Sequence, residues 1–131
     1  MVYIADSGFL IALFGKPVER AWALGRLEIH SAPFLTCEAA LSEAAHFVDS
    51  VWLARLLEDG DIEIAFSARD ERVRLGQLLE KYRGTMDFTD ACIVRMAEIF
   101  PHCLVFTVDK HDFNIYRRFG DQRIPISTPK V

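Results

Sequence analysis

Four carboxylates in this chain stand at places where they could act together. Asp6 closes the apolar run Val2-Tyr3-Ile4-Ala5, and Asp109 closes the run from Cys103 to Val108. Glu43 lies in the helix-favouring stretch EAALSEAA, and Asp90 lies in DFTD, just ahead of another apolar helix. Hard divalent cations such as Mg²⁺ and Mn²⁺ choose oxygen ligands, and pairs of them activate water and stabilise the leaving oxygen in phosphodiester cleavage. Three or four converging carboxylates are what that chemistry needs. No rival motif competes: the sequence has no GxxxxGK[ST] phosphate loop, no GxGxxG fingerprint, no HExxH and no GxSxG elbow. His30, His46, His102 and His111 are scattered without ligand spacing.

Each acid also has an ordinary explanation. An Asp after a strand begins a turn or caps a helix, which covers Asp6 and Asp109. Asp87 reads as an N-cap with Asp90 at N3, where an acid completes a capping box. Glu43 is harder to explain away, because Ala39, Ala40 and Phe47 at i−4, i−3 and i+4 put it on an apolar face expected to pack inward. A buried carboxylate needs a proton, a cationic partner or a metal, and His46 at i+3 is a second candidate partner. Glu38 is its rival. The two are five residues apart, about 140° around a helix, so one helix cannot easily aim both at a single point.

The elements that must position these acids follow from the hydrophobic pattern. Val2–Ala5, Pro33–Thr36, Ile62–Phe66 and Cys103–Val108 read as short strands, and Ile124, Ile126 and Thr128-Pro129 suggest a last edge strand. Between them fall helical stretches. Phe9–Phe14 is broken by Gly15-Lys16-Pro17, and Val18–Leu27 follows with Ala21, Trp22 and Leu24 on a stripe. Further helices are expected over Cys37–Val48 and over Val51–Leu57, the latter stopped near Gly60. One more carries a face of Leu75, Leu78, Leu79 and Tyr82 and ends near Gly84, and another runs over Ala91–Phe100. Asp112 or Asn114 is expected to begin the next. Strands alternating with helices imply an α/β fold, a three-layer α/β/α sandwich with a mostly parallel central sheet. Ligands of such sheets bind outside the carboxyl ends of the strands, where Asp6 and Asp109 would stand.

At 131 residues, 51% apolar and 26% charged, the chain is expected to form a single domain over 1–131 with one core. No run approaches the ~18 to 20 apolar residues of a membrane span, and the N-terminus has no basic segment ahead of its apolar stretch, so a cytoplasmic protein is expected. Cys37, Cys92 and Cys103 form no CxxC pair and lie among apolar residues, which fits free thiols in a reducing compartment. The net charge of −4 argues against a broad basic nucleic-acid surface. It does not argue against a nuclease, since a bound cation inverts the local field.

These residues resemble a known family. VYIADSGFLIAL is similar to the opening strand and first acidic motif of PIN domains, and LTCEAALSEAAHFV to their second motif, with Glu43 as its acid. MDFTDACIVRMAE and LVFTVDKHDF resemble the third and fourth motifs of the VapC-like group, with Asp90 and Asp109. The resemblance spans nearly the whole chain. It implies a Mg²⁺- or Mn²⁺-dependent endoribonuclease, often the toxin of a type II toxin–antitoxin pair whose antitoxin covers the site, with an RNA substrate and a possible homodimer. Asp6, Asp90 and Asp109 would hold one or two metals, with Glu43 as a further ligand or water-positioning group. Ser7 and Thr107 would orient the acids, Asp87 and Asp112 would supplement them, and Lys16, Lys110, Arg117 and Arg118 would be candidates for phosphate contacts. The competing reading is a PIN-like module that binds RNA or protein without cutting. A third reading is a phosphohydrolase- or receiver-type site with a phosphorylated Asp; its haloacid-dehalogenase-like form is disfavoured, because Ser-Gly-Phe follows the first acid in place of a second Asp two places on.

Overall fold

In the computed structural model, residues 1–29 and 33–129 are described, so His30 lies outside the described residues. Five strands, β1 (Val2–Ala5), β2 (Phe34–Thr36), β3 (Ile62–Ile64), β4 (Cys103–Phe106) and, numbered last along the chain, β7 (Ile126–Ser127), form one sheet. Its order is β3-β2-β1-β4-β7 and every pairing is parallel. Helices flank it as a three-layer α/β/α sandwich: α1 (Ser7–Ala12), α2 (Pro17–Ile29), α3 (Glu38–Ala44), α4 (Ser50–Asp59), α5 (Arg72–Lys81), α6 (Phe88–Ile99) and α7 (Lys110–Ile115). A separate antiparallel ribbon joins β5 (Arg117–Arg118) to β6 (Gln122–Arg123).

The local sequence accounts for most of these boundaries. Pro17 opens α2 at the position where a missing N–H costs nothing. Asp49 caps α4 by accepting from Val51 N, and Gly60, at φ 82°, closes it in the left-handed conformation. The central strands β1 and β4 are continuous apolar runs with their ends buried, while β3, Ile-Glu-Ile, exposes Glu63 and Ile64 at the sheet edge. Phe9 of α1 stacks on Phe34 of β2 with centroids 4.8 Å apart, Phe34 meets Phe106 of β4 edge-on at 4.9 Å, and Trp22 packs edge-on against Phe9.

Several expectations are corrected. Helix α3 ends at Ala44, four residues short of Val48, and the chain then turns, so Phe47 no longer sits one turn beyond Glu43 and is 73% exposed. On α2 it is Ala23 that is fully buried, while Ala21 and Leu24 face outward and Trp22 is half-buried. Asp109, not Asp112 or Asn114, is the N-cap of α7. The β5–β6 ribbon was not anticipated. Its turn passes through Phe119 and Gly120, both at positive φ (52° and 86°), and Phe119 is a residue type that sequence rules would not place there.

Candidate active site

The chain steps outward from β1 to β2 to β3, then returns to lay β4 on the other side of β1, so strand order reverses between β1 and β4. A crevice at such a reversal is where open parallel sheets bind ligands. The register of this pair runs Val2 against Cys103 through Ala5 against Phe106. The next residue on each strand is Asp6 and Thr107, which therefore stand side by side.

Asp6 is built into that position from both sides. Its backbone N–H donates to Phe106 O, and it caps α1 with Oδ1 accepting from Ser7 N at 2.8 Å. Its Oδ2 accepts from Thr107 Oγ1 at 2.8 Å, and Thr107 Oγ1 in turn accepts from Asp109 N at 3.1 Å. Only 5% of Asp6 is exposed. Burial pushes its carboxyl up to about 6; the bonds from Thr107 and Ser7 oppose this, and the fields of Glu43 and Asp87 add to it.

Glu43 projects from α3 into the same region, half-buried. Its Oε1 accepts from Ser7 Oγ at 2.9 Å and its Oε2 from Thr89 Oγ1, so hydroxyls from α1 and α6 hold both of its oxygens. Glu38 is exposed on the same helix. His46 is exposed and meets Glu43 only through backbone, His46 N donating to Glu43 O.

Asp90 does what the capping box requires: Asp90 N donates to Asp87 Oδ1, and Asp87 N donates to Asp90 Oδ2 at 3.3 Å. It also does more. Tyr116 OH lies 2.8 Å from Asp90 Oδ2 and 3.3 Å from Thr85 O, and its single hydrogen serves the nearer acceptor. Burial raises the Asp90 carboxyl to about 7, against the Tyr116 bond and with Asp87 and Asp6 adding to the rise. Asp109 caps α7 by accepting from Asp112 N at 3.0 Å, and burial, with Asp112 beside it, raises its carboxyl as well.

Asp6, Glu43 and Asp90, with Asp87, are thus close enough to act on one another, and Asp109 is tied to Asp6 through Thr107. Among the described residues, however, no three Asp, Glu, His or Cys side chains are grouped tightly enough to hold a metal ion as they stand. Like charges in a poorly solvated crevice repel, and hydroxyls of Ser7, Thr89, Thr107 and Tyr116 donate to Glu43, Asp6 and Asp90. In kind, the donors fit a hard divalent cation, being carboxylates and hydroxyls without thiolate or imidazole. Among the described residues no Lys or Arg forms an ion pair with any of the four acids, so a compensating charge has to come from elsewhere.

The expected phosphate contacts divide. Lys16 and Lys110 are exposed, Lys110 being the first residue of α7 beside Asp109. Arg117 is half-buried and folds its Nη1 back onto the carbonyls of Asn114, Ile115 and Tyr116. Arg118 is a correction: it is 5% exposed, and its Nη1 donates to Ala97 O and Pro101 O at the carboxyl end of α6. That end is the negative pole of the helix, which makes Arg118 a structural cation rather than an RNA contact. Thr89 and Tyr116 were missed. Thr89 had a signal, a hydroxyl beside an acid as Ser7 is beside Asp6. Tyr116 had none, since its partner is 26 residues away.

Gly8 lets the crevice close. A Cβ there would overlap Val108 Cγ2 and come within 3.3 Å of Val108 N, in the segment between Thr107 and Asp109. Gly8→Ala should therefore cost about 1–3 kcal/mol in overpacking, offset by about 1 kcal/mol of helix propensity. Thermal melts and activity measured side by side check this. Parental values for both would mean that the exposed Val108 side chain simply swings away.

The fold and site define a parallel α/β/α sandwich with a hydroxyl-linked acidic crevice at its strand-order reversal. No protein-family model and no curated protein matches the chain.

Proposed function

We propose that the chain is a PIN-like, divalent-metal-dependent endoribonuclease of the VapC-like toxin group. The observation that carries this is the meeting of Asp6, Glu43 and Asp90, from three separate elements, at the carboxyl edge of the parallel sheet with no cation partner among the described residues. A cluster of that kind weakens the fold, and a site with no task has no reason to keep it. Asp6, Asp90 and Asp109 would hold one or two Mg²⁺ or Mn²⁺ ions, with Glu43 as a further ligand or water-positioning group. A bound ion supplies a more acidic water and neutralises charge at the phosphate. The chain's own part is positioning: Thr107 and the Ser7 amide fix Asp6, Ser7 and Thr89 fix Glu43, and Tyr116 fixes Asp90. Asp87 lies near enough to supplement Asp6 and Asp90, and Asp112 to supplement Asp109. Lys16 and Lys110 remain for the RNA backbone. A small antitoxin covering the crevice, a homodimer and a cytoplasmic setting belong to the same proposal. Among the described residues no helix is long and apolar enough to cross a membrane.

That no closed ligand group stands among the described residues favours one other reading, a PIN-like module that binds RNA or protein without cutting it. Purified protein incubated with RNA, Mg²⁺ or Mn²⁺, and then chelator separates the two. Cleavage that needs the metal supports the nuclease, and retention of intact RNA under every condition supports the module. Within the nuclease, Glu43→Gln should lower cleavage by about 10²-fold or more, since Glu43 is the acid whose oxygens meet Ser7 and Thr89. Glu38→Gln should stay near parental, and the reverse pattern would assign the site to the exposed face of α3.

A further inference from the structure

Beside the acidic crevice the fold holds a cavity of about 390 Å³ whose lining includes Cys37, Glu38, Ser42, Phe66, Phe88 and Cys92. Ser42 is next in sequence to Glu43 and Phe88 is next to Thr89, and Thr89 donates to Glu43 at the crevice. The cavity therefore flanks the bond that holds that acid. Phe66 reaches it from the sheet. Ala65 N donates to Thr36 O at 3.1 Å, which extends the β2–β3 ladder one residue past Ile64 and leaves Phe66 at the carboxyl edge, where the acids also stand.

The lining selects among occupants. Among the described residues it includes no Lys, Arg or His, and Glu38 puts a carboxylate at its exposed rim, so a phosphate is a poor guest. Two phenyl rings, a hydroxyl and small apolar side chains suit a flat, uncharged ring with polar edges, and the volume lies at the low end of the ~300–1,000 Å³ of small-molecule sites. Phe88 is 51% exposed, and the start of α6 does not need its ring: the capping box of Asp87 and Asp90, with Met86 and Ala91 buried at the staple positions, secures that end without it. An aromatic face left open beside a phosphodiester site can stack a base, because every base offers a π-face.

We propose that this cavity is a nucleobase subsite, in which one unstacked base of a single-stranded RNA lodges against Phe88 and Phe66 while a phosphate of the same strand lies at the acidic crevice. The assignment rests on the RNA-cleaving reading of that crevice and deepens it by naming the substrate class. Single strands are favoured over duplexes, since a paired base would have to leave its stack to enter. Arg69, in the turn after Phe66, is exposed and forms no ion pair among the described residues, which adds a cation for the backbone of the same strand.

Binding is read apart from cutting by fluorescence anisotropy with Ca²⁺ in place of Mg²⁺, a gel confirming that the RNA stays intact. The probes are a fluorescein-labelled single-stranded oligoribonucleotide of mixed sequence and the same RNA annealed to its complement. Phe66 packs against the core, so Phe88 carries the test. The single strand should bind more tightly than the duplex, Phe88→Ala should weaken single-strand binding about 5- to 150-fold, the loss of one base–aromatic stack, and Phe88→Tyr should restore it. Thermal melts should place both variants with the parent, since the ring is half outside. Parental single-strand binding by Phe88→Ala overturns the proposal. So does equal binding of the duplex, a lack of RNA binding by the parent, or full recovery by Phe88→Leu, which keeps apolar surface without the ring. The nuclease reading fails separately: a parent that binds single strands through Phe88 but never cuts them in Mg²⁺ or Mn²⁺ keeps the subsite and loses the nuclease. Metal-dependent cleavage with parental RNA binding by Phe88→Ala does the reverse.

Discussion

Asn in place of Asp6 is expected to abolish metal-dependent RNA cleavage and, in the same protein, to raise metal-free stability above neutral pH by up to about 3 kcal/mol. The stability half rests on Asp6 being raised from 3.8 to about 6 by burial. The folded state holds the Asp6 proton to a higher pH than the unfolded state does. Its stabilising contribution is therefore complete below pH 3.8 and lost as pH rises through about 6, above which the fold carries a buried charge. Asp90, raised to about 7, has the same sign and extends the decline to that pH. Asn keeps the shape: its Oδ1 accepts from Ser7 N, and its Nδ2 can donate to a Thr107 hydroxyl whose hydrogen rotates away. Thermal melts in chelator across the pH range should show the parent falling between about pH 4 and 7 and the variant falling less. A variant that melts below the parent at about pH 8 would mean that Asp6 is held as a structural cap. The cleavage half is read separately, so an active Asp6→Asn protein defeats the nuclease reading without touching the titration.

Removing Glu98 should be the costliest change outside the core aromatics, with Glu98→Ala losing about 3 kcal/mol. Glu98 lies on α6, and its side chain is 2% exposed. It accepts from Arg74 Nε at 2.9 Å and Nη2 at 2.8 Å, from Arg95 Nη1 at 3.1 Å, and from Phe119 N at 2.8 Å. Burial pushes the carboxyl up, but Arg74, the Phe119 amide and Arg95 outweigh it and hold it at about 2. Without Glu98 both arginines lose a buried anion and the β5–β6 ribbon loses one of its ties to α6, keeping the bond from Arg118 to Ala97 O. Arg74→Ala should cost less, about 1 kcal/mol, because Arg74 is 27% exposed and Glu98 keeps two other donors. Denaturant unfolding of the two variants gives the comparison, and equal losses would show that the network acts as one unit. Because Glu98 stabilises above pH 4.5 and loses that contribution as pH falls toward 2, the metal-free parent should be most stable at about pH 4, between this acid limb and the Asp6–Asp90 decline.

The layered α/β architecture was legible because its cause is local. Runs of four and six residues ending at Asp6 and Asp109, with helical stretches between them, admit few arrangements other than a parallel sheet covered on both sides. The capping box of Asp87 and Asp90 and the stop at Gly60 are equally local, since each is settled within a few residues of chain. The inward placement of Phe47 failed for a related reason: residues 37–48 favour helix throughout, but the helix ends at Ala44, and nothing in the propensities marks that end. The all-parallel sheet, including its last edge strand, depended on which neighbour the final residues chose, and β4 is not adjacent to them in sequence.

The site divides along the same line. Residue type and spacing drew attention to Asp6, Glu43 and Asp109, acids at strand ends or on an apolar helix face, and the family resemblance brought Asp90 into the set with them. What joins them could only come from tertiary packing. Thr89 reaches Glu43 across 46 residues, Thr107 reaches Asp6 across 101, and Tyr116 reaches Asp90 across 26. Burial of Arg118 under the carboxyl end of α6 was equally invisible, since an arginine reads as a surface cation until the carbonyls that will receive it are in place. A sequence fixes which groups have unmet electrostatic needs; the fold decides which distant hydroxyl, amide or carbonyl meets them, because that depends on distances in space that spacing along the chain does not encode.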